Sequence, residues 1–219
     1  PGEIYGLGGL DGQGQQRVLE AVFGLLSRVS GQVRIDGKPY TGRSPARSKS
    51  RGIGIALIPE DRKTEGLMLT MPIADNLVAA SFAEISRGLM IDRARAQKVV
   101  KDGIAKMQIK VGSPNDAVNT LSGGNQQKVV LGKMLLTQPK VLLLDEPTRG
   151  IDVGAKVEIY QLINTLAEAG KAILMISSEL EEVLGMADRI LGMHEGRITG
   201  EIADVKHATQ AQNMRLAVQ

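Results

Sequence analysis

Three glycines, Gly9, Gly12 and Gly14, follow the first apolar segment of the chain. A loop of small residues lets successive backbone N–H groups converge on an anion, and the N-terminus of a following helix adds a favourable dipole. The order of strand, glycine-rich loop and helix is typical of a phosphate-binding loop. Such loops end in Lys followed by Ser or Thr, whereas Gln15 and Gln16 occupy these positions here. The pattern fits a phosphate loop that lacks its cation, and it also fits an ordinary glycine-rich loop.

The two glutamines change the chemistry expected of such a loop. A lysine at the first position reaches the β- and γ-phosphates, and a hydroxyl at the second binds Mg²⁺. Gln15 can donate a hydrogen bond but carries no charge. Gln16 is a poor substitute for a hydroxyl because Mg²⁺ is a hard cation that requires tight octahedral geometry. We predict that both residues belong to the nucleotide site, with Gln16 as a candidate metal ligand.

An acidic pair, Asp145 and Glu146, directly follows the apolar run Val141–Leu144. A buried strand with carboxylates at its tip places them at the edge where parallel sheets bind phosphates. The alternative is a buried strand that ends in a solvated acidic turn. The run VLLLDEPT resembles the Walker B segment of ABC transporter ATPases. This resemblance implies that Asp145 orients Mg²⁺ through water and that Glu146 polarises the attacking water.

The run LSGGNQQK at Leu121–Lys128 resembles the signature segment of the same ATPases. Its chemistry is a helix N-terminus that presents Ser122 and the bare backbone of Gly123 and Gly124 to a γ-phosphate. A plain N-capped helix is the alternative. The resemblance implies action in trans, in which the signature of one domain closes on ATP held by the phosphate loop of another.

Three more segments follow the order of these ATPases along the chain. Thr148–Asp152 corresponds to the D-loop, with Asp152 as its acidic residue at the nucleotide. In the switch region Ser178 stands where most active members carry a His that contacts the γ-phosphate, and we predict it as a catalytic residue. Pro59–Lys63 lies where the Q-loop is expected, with Glu60 in place of the usual Gln as a candidate metal ligand. In this family the Q-loop couples the nucleotide to the transmembrane partner.

Taken together, these segments resemble one group within the family. IPEDRK, LSGGNQQKV, DEPTRGIDVGAK and ISSELEE resemble the second ATPase domain of sugar-importer ATP-binding proteins of the ribose, galactose and arabinose type, from Gly2 to about Ile202. The resemblance implies ATP and Mg²⁺ as cofactors. The implied partners are an N-terminal ATPase domain on the same chain, transmembrane permease subunits and, indirectly, a periplasmic solute-binding protein. It also implies a peripheral position on the cytoplasmic face of the inner membrane.

The phosphate loop departs from the group and leaves alternatives open. Typical members read close to GAGRTE, whereas this chain reads GQGQQR, and GQGQ is also similar to nucleoside importers. Our first hypothesis is an ATPase domain that energises carbohydrate import, with little turnover in isolation. The second is a non-hydrolytic nucleotide-binding and dimerisation module. A soluble ATPase of DNA repair or translation is disfavoured because the chain has no heptad run and no basic interdomain arm.

Strands that alternate with helices must position these segments, and this alternation predicts a parallel sheet covered by helices. We predict an α/β fold, a P-loop NTPase (RecA-like) core at residues 1–65 and 119–202, with a mainly helical ABC subdomain at 66–118 and a tail at 203–219. The abrupt start at a strand edge suggests a fragment of a longer two-domain chain. The predicted helices are Gln15–Leu26, Gly124–Leu136, Val153–Ala169, Leu180–Met186 and Thr209–Val218. The predicted strands are Ile4–Leu7, Gln32–Ile35, Ile53–Ile58, Val141–Leu144 and Ala172–Ile176.

Composition excludes several other classes of protein. The 219 residues contain no Cys, which rules out disulfides and thiolate chemistry. No apolar run reaches the roughly 18 residues of a membrane span. The net charge is only +3, and two Phe and three Tyr offer few stacking platforms. We therefore predict no nucleic-acid partner.

Overall fold

The computed structural model describes residues 1–10, 12–26, 30–40, 44–50, 52–88 and 90–205. The α-helices are α1 Gln15–Phe23, α2 Pro45–Ser48, α3 Ile73–Val78, α4 Phe82–Ile85, α5 Arg93–Lys106, α6 Gly123–Leu135, α7 Val153–Glu168 and α8 Leu180–Met186. The strands are β1 Ile4–Gly8, β2 Val33–Ile35, β3 Lys38–Tyr40, β4 Ile55–Ile58, β5 Ser86–Arg87, β6 Met90–Ile91, β7 Val141–Asp145, β8 Ala172–Ile176, β9 Arg189–His194 and β10 Arg197–Ile202. The predicted tail helix Thr209–Val218 lies outside the described residues.

The chain divides into two compact units. The first, here called the sheet unit, comprises Pro1–Leu57, Pro139–Pro147 and Ile163–Gln219. The second, here called the helical unit, comprises Ile58–Gln138 and Thr148–Leu162. Among the described residues, no helix is both long enough and apolar enough to cross a membrane.

A six-stranded sheet in the order β10-β9-β1-β8-β7-β4 forms the centre of the sheet unit. Strand β1 runs parallel to β8 and β9, and β7 runs parallel to β8, whereas β10 is antiparallel to β9. The α/β prediction with a mainly parallel sheet is therefore confirmed. Because β1, β7 and β8 point the same way, the segments that follow them lie at one edge of the sheet.

Helix α1 packs on this sheet and ends earlier than its apolar pattern predicts. The prediction that it continues to Leu26 is wrong, because Gly24 adopts a left-handed conformation with φ 88° and its N–H bonds back to the helix. A Cβ on Gly24 would lie 2.9 Å from the backbone nitrogen of Ser44, so only glycine fits there. The helix contributes Leu19 and Phe23 to the core, whose buried members are Leu7, Leu19, Phe23, Tyr40, Ile55, Leu57, Leu143, Ile176 and Met193.

In the helical unit, α3, α5 and α6 pack against one another. Val100, Ile104 and Met107 have the i, i+4, i+7 spacing of an apolar helix face. Val100 and Met107 are buried and Ile104 is half-buried. Asn76 is fully buried on α3, where it accepts a hydrogen bond from the Met68 N–H at 2.8 Å and donates to the Met68 carbonyl at 3.0 Å. These bonds fix the loop before α3, because a buried amide is stable only when its polar atoms are paired.

Candidate functional site

The glycine-rich loop after β1 requires glycine at three positions. Gly12 and Gly14 have φ of 77° and 102°, in the left-handed region that L side chains rarely adopt. Gly9 is needed for space, because a Cβ there would lie 2.6 Å from the Met193 carbonyl oxygen and would overlap the Gln15 amide. Gly14 directly precedes α1, so the loop leads into a helix N-terminus as predicted.

The side chain of Gln15 turns back into this loop. Its Nε2 donates a hydrogen bond to the Leu10 carbonyl at 3.1 Å, and the residue is only 6% exposed. Gln16, in contrast, is exposed on the first turn of α1. The loop therefore holds a neutral amide at the position where phosphate loops carry a lysine.

The glycine-rich loop also forms hydrogen bonds with a second segment, which the sequence did not predict. The backbone N–H of Glu195 donates to the Gln13 side-chain oxygen at 2.6 Å, and the N–H of Gly196 donates to the Gln13 carbonyl at 2.8 Å. Both donors belong to the turn of the β9–β10 hairpin. The sequence predicts a hairpin about Glu195 and Gly196, but nothing in it indicates the partner of this turn, because 182 positions separate Glu195 from Gln13.

The structure brings Glu146 and Ser178 together at the edge formed by β7 and β8. Glu146 follows β7 with a left-handed φ of 46°, and its N–H donates to the Ile176 carbonyl at 3.1 Å. Its carboxylate accepts hydrogen bonds from the Ser178 N–H at 2.5 Å and from the Ser178 hydroxyl at 3.1 Å. Strained φ values in non-glycine residues concentrate at functional sites. Asp145, the last residue of β7, is buried beside Glu146.

Burial is the main influence on the charge of Glu146. It raises the pKa of the Glu146 carboxyl above its usual value of 4.5, while the two hydrogen bonds from Ser178 oppose the shift. The nearby carboxylates of Glu182 and Asp145 raise this pKa further. Proton affinity above that of a free glutamate suits a residue that polarises water.

In the helical unit, Ser122 caps the N-terminus of α6. Its hydroxyl accepts a hydrogen bond from the Asn125 side chain at 3.0 Å, and the residue is exposed. The predicted helix Gly124–Leu136 is shifted by one residue at each end, since α6 covers Gly123–Leu135. The predicted signature serine therefore stands at the solvent-facing start of a 13-residue helix.

The two glycines after Ser122 are required by close packing. A Cβ on Gly123 would lie 2.9 Å from an Nη atom of Arg62 and 3.2 Å from the Gly150 carbonyl oxygen. A Cβ on Gly124 would overlap the Cβ of Ala155 on the first turn of α7. Asp152 caps that turn, because its carboxylate accepts from the Ala155 N–H at 2.9 Å. The start of α6 and the start of α7 are thus held in direct contact.

Comparison with known proteins decides the family. Residues 1–149 match the protein family described as ABC transporter. The chain belongs to the ABC transporter family. The likeness to solved ATP-binding cassettes extends over nearly all of the fold. The ADP conformation of MJ1267, an ATP-binding cassette of an ABC transporter, has a TM-score of 0.77 at 22% identity and covers 98% of this chain and 87% of that one.

Curated relatives within the family are more similar in sequence. The ribose import ATP-binding protein RbsA 1 of Mesorhizobium japonicum is 52% identical over 201 residues, which are 92% of this chain and 39% of that protein. The ribose import ATP-binding protein RbsA of Streptococcus agalactiae is 48% identical over 216 residues, which are 99% of this chain and 43% of that protein. The chain thus spans about two fifths of the length of these relatives.

The predicted metal ligands of this ABC chain are divided between the two units. Asp145 and Gln16 lie in the sheet unit, whereas Glu60 lies in the helical unit, where its carboxylate forms an ion pair with Arg149. No group of three or more His, Cys, Asp or Glu side chains is gathered for a metal within the described part of the chain. The metal-binding roles of these three residues stay predictions.

Glu158 on α7 has a pKa shifted in the opposite direction from that of Glu146, so it provides a control for Glu146. It bonds the buried ammonium of Lys128 at 2.5 Å, and this hydrogen bond with the charge of Lys128 lowers the pKa of Glu158 below its usual value of 4.5. An acid with a raised pKa weakens the fold once pH exceeds its unfolded value, whereas one with a lowered pKa stabilises the fold above that value.

Glu146→Gln is therefore expected to raise the unfolding temperature at pH 7.5 by about 2 °C, because the substitution removes a charge that burial disfavours. The gain should shrink towards zero at about pH 4, where wild-type Glu146 is itself protonated. Glu158→Gln should lower the unfolding temperature at pH 7.5, since it leaves Lys128 without its counter-ion. Thermal unfolding followed by circular dichroism at both pH values measures the two effects. A loss of stability with Glu146→Gln at pH 7.5 would contradict the expectation.

Proposed function

We propose that this chain is the second ATPase domain of a carbohydrate-importer ATP-binding protein, with residues 1–65 and 119–202 as its nucleotide-binding core and 66–118 as its helical subdomain. The proposal rests on the 52% and 48% identity to proteins named for ribose import. Its partners are an N-terminal ATPase domain on the same chain and membrane permease subunits, with a periplasmic solute-binding protein as an indirect partner. The domain works at the cytoplasmic face of the inner membrane.

Within this assembly the glycine-rich loop after β1 and the signature at the start of α6 contribute unequally to ATP hydrolysis. The loop at Gly9, Gly12 and Gly14 offers backbone N–H groups to phosphate oxygens, but the side chain at its end is the neutral Gln15. Phosphoryl transfer depends on positive charge at the developing negative charge, so a loop without a cation supports little hydrolysis. The observation that carries the proposal is the Gln15 amide bound to the Leu10 carbonyl at 3.1 Å, in the place of that cation.

The signature at the start of α6 contributes more to ATP hydrolysis than the glycine-rich loop does. Ser122 is exposed there and Gly123 is half-buried, whereas Gly124 is buried and packs against Ala155. In trans, these residues donate to the γ-phosphate of ATP that the partner domain holds, with the positive end of the α6 dipole behind them. Asp152, which caps α7, lies in the adjoining turn and faces the same nucleotide.

The sheet unit keeps residues suited to a second, weaker site on this chain. Mg²⁺-ATP bound there supplies the phosphoryl group. Asp145 is a hard-oxygen ligand that fits Mg²⁺, whereas the amides of Gln15 and Gln16 fit the phosphates and the metal less well. Glu146 polarises water there. The two donors of Ser178 take one acceptor position on each oxygen of its carboxylate, which leaves lone pairs for a water molecule but makes the carboxylate a weaker base.

The test is ATP hydrolysis by the complete protein with its permease. Ser122→Ala is expected to lower the maximal rate about 100-fold, because one donor to the transition state is worth that much. Gln15→Ala should change the rate less than about twofold. Rates are measured by phosphate release over a range of ATP concentrations. A Ser122→Ala protein with the wild-type rate would overturn the proposed action in trans.

A second candidate function is a non-hydrolytic nucleotide-binding and dimerisation module. The neutral phosphate loop and the engagement of Glu146 by Ser178 both favour it. Glu146→Gln in the complete protein separates the two candidates. If this chain is a module without its own hydrolysis, Glu146→Gln leaves the ATP hydrolysis rate of the complete protein unchanged. If this chain holds a weak second site, the rate falls by the part that this site contributes. The nucleoside importer alternative is tested by solute uptake with ribose and a nucleoside in parallel.

A further inference from the structure

Arg62 connects the segment after β4 to the turn before α7. Its Nη1 donates to the Arg149 carbonyl at 2.7 Å, and its Nη2 donates to the Gly150 carbonyl at 3.0 Å. One planar guanidinium therefore binds two consecutive carbonyls as a fork, a geometry that lysine does not reproduce. Charged donors make these bonds stronger than neutral ones.

The same guanidinium contacts the first turn of α6. Its Nε approaches the side-chain oxygen of Gln126 at 3.4 Å, and Gln126 in turn donates to the Leu121 carbonyl at 3.1 Å. Gly123 leaves the space that the guanidinium occupies, since a Cβ at that position would lie 2.9 Å from Nη2. Arg62 thus fills the gap between the start of α6 and the carbonyls of the turn.

A second contact joins the segment after β4 to the turn before α7. Two residues before Arg62, the carboxylate of Glu60 forms an ion pair with Arg149, one of the residues whose carbonyl Arg62 binds. The turn at Arg149 and Gly150 is therefore held through both a side chain and its backbone. Two positions further on, Asp152 caps α7.

We propose that Arg62 is a positioning residue for the signature, holding Ser122 and the 149–152 turn in the arrangement that acts on ATP in trans. This inference rests on the function proposed above. Arg62 touches no nucleotide in this role, and it acts through the carbonyls of Arg149 and Gly150 and through the first turn of α6. A displacement of about 1 Å at a positioned group costs about 100-fold in rate.

The test compares Arg62→Ala, Arg62→Lys and the control Arg95→Ala, an exposed arginine on α5 of the same unit, in the complete protein with its permease. Arg62→Ala is expected to lower kcat for ATP hydrolysis about 100-fold while KM for ATP stays within about twofold, because another domain holds the nucleotide. Arg62→Lys keeps the charge but loses the fork, so it should lose most of the rate as well. Arg95→Ala removes the same charge from an exposed arginine on α5 and should keep wild-type kcat.

A double variant distinguishes positioning from general loss of stability. Residues that act as a unit show non-additive effects, so Arg62→Ala with Ser122→Ala should be no slower than Ser122→Ala alone, within about threefold. A rate equal to the product of the two single losses would overturn the inference, as would wild-type kcat in Arg62→Lys. If Ser122→Ala lowers the rate and the Arg62 variants do not, only the role of Arg62 fails. If Ser122→Ala has no effect, the proposed function fails and this inference fails with it.

Discussion

Gln15→Lys combined with Gln16→Ser is expected to convert the loop after β1 into an effective ATP site. The lysine adds a positive charge where the Gln15 amide now bonds the Leu10 carbonyl, and the serine adds a hydroxyl for Mg²⁺. Loss of a single group that stabilises the transition state costs about 10²–10³ in rate, so restoring two should raise hydrolysis by at least about 100-fold. The gain is measured on the purified chain by phosphate release and by titration with Mg²⁺-ATP.

The matched control for this gain is Gln15→Met. Methionine has a similar length but neither charge nor a strong hydrogen-bond donor, so affinity for Mg²⁺-ATP should not rise. It also removes the Nε2 hydrogen bond to the Leu10 carbonyl, which keeps the Gln13 N–H as a donor at 3.3 Å, and this separates the effect of losing the amide from the effect of adding charge. If the Lys and Ser pair binds no better than the Met variant, the neutral loop is not what limits this site, and the non-hydrolytic module becomes the preferred function.

Gly124→Ala is expected to abolish most of the activity that the signature contributes in trans. The added methyl group would overlap the Cβ of Ala155, which forces α6 and the first turn of α7 apart. Overpacking of this kind costs about 1–3 kcal/mol, and displacement of Ser122 by about 1 Å would lower the hydrolysis rate about 100-fold. The rate is measured in the complete protein, with the unfolding temperature recorded in parallel.

Two further variants establish the cause of that loss. Gly124→Ala with Ala155→Gly restores the space and should recover the rate to within about fivefold of wild type, since the clash is between these two positions. Gly103→Ala on α5 is the control, because the added Cβ fits without a clash. The nearest atom to that Cβ would belong to Leu136, at 4.0 Å. It should stabilise the protein by about 0.5–1 kcal/mol through helix propensity. Failure of the Ala155→Gly rescue would show that Gly124 is required for another reason.

Local sequence patterns predicted two elements with their correct bounds. Strand Ala172–Ile176 and helix Leu180–Met186 coincide with β8 and α8, because each is a continuous apolar or amphipathic run ended by a clear change in residue type. The end of α1 was predicted wrongly at Leu26, because the apolar pattern continues past Gly24. The tight approach of Ser44 to this glycine decides the end, and it is a tertiary contact.

The segment from Gly66 to Val118 also contains elements that local sequence patterns do not predict. Its helical spacing correctly predicted α5, yet the region also contains the short strand pair β5 and β6, which pattern reasoning did not anticipate. Strands of two residues are shorter than the period over which an alternation can be recognised. Short elements of this kind form only because their surroundings supply the partner.

Local apolar patterns predicted the mainly parallel α/β fold, and the resemblance of several segments to known ATPases indicated the family. The residues expected at a nucleotide site stay a prediction from the same resemblance and from the local chemistry of glycines and carboxylates. The tertiary structure alone decided what those residues contact. Gln15 turns into its loop, Ser178 donates to Glu146, and Arg62 binds the Gly150 carbonyl across 88 positions of the chain. Hydrogen bonds across such distances depend on how the elements pack, and no local spacing of residues encodes that geometry.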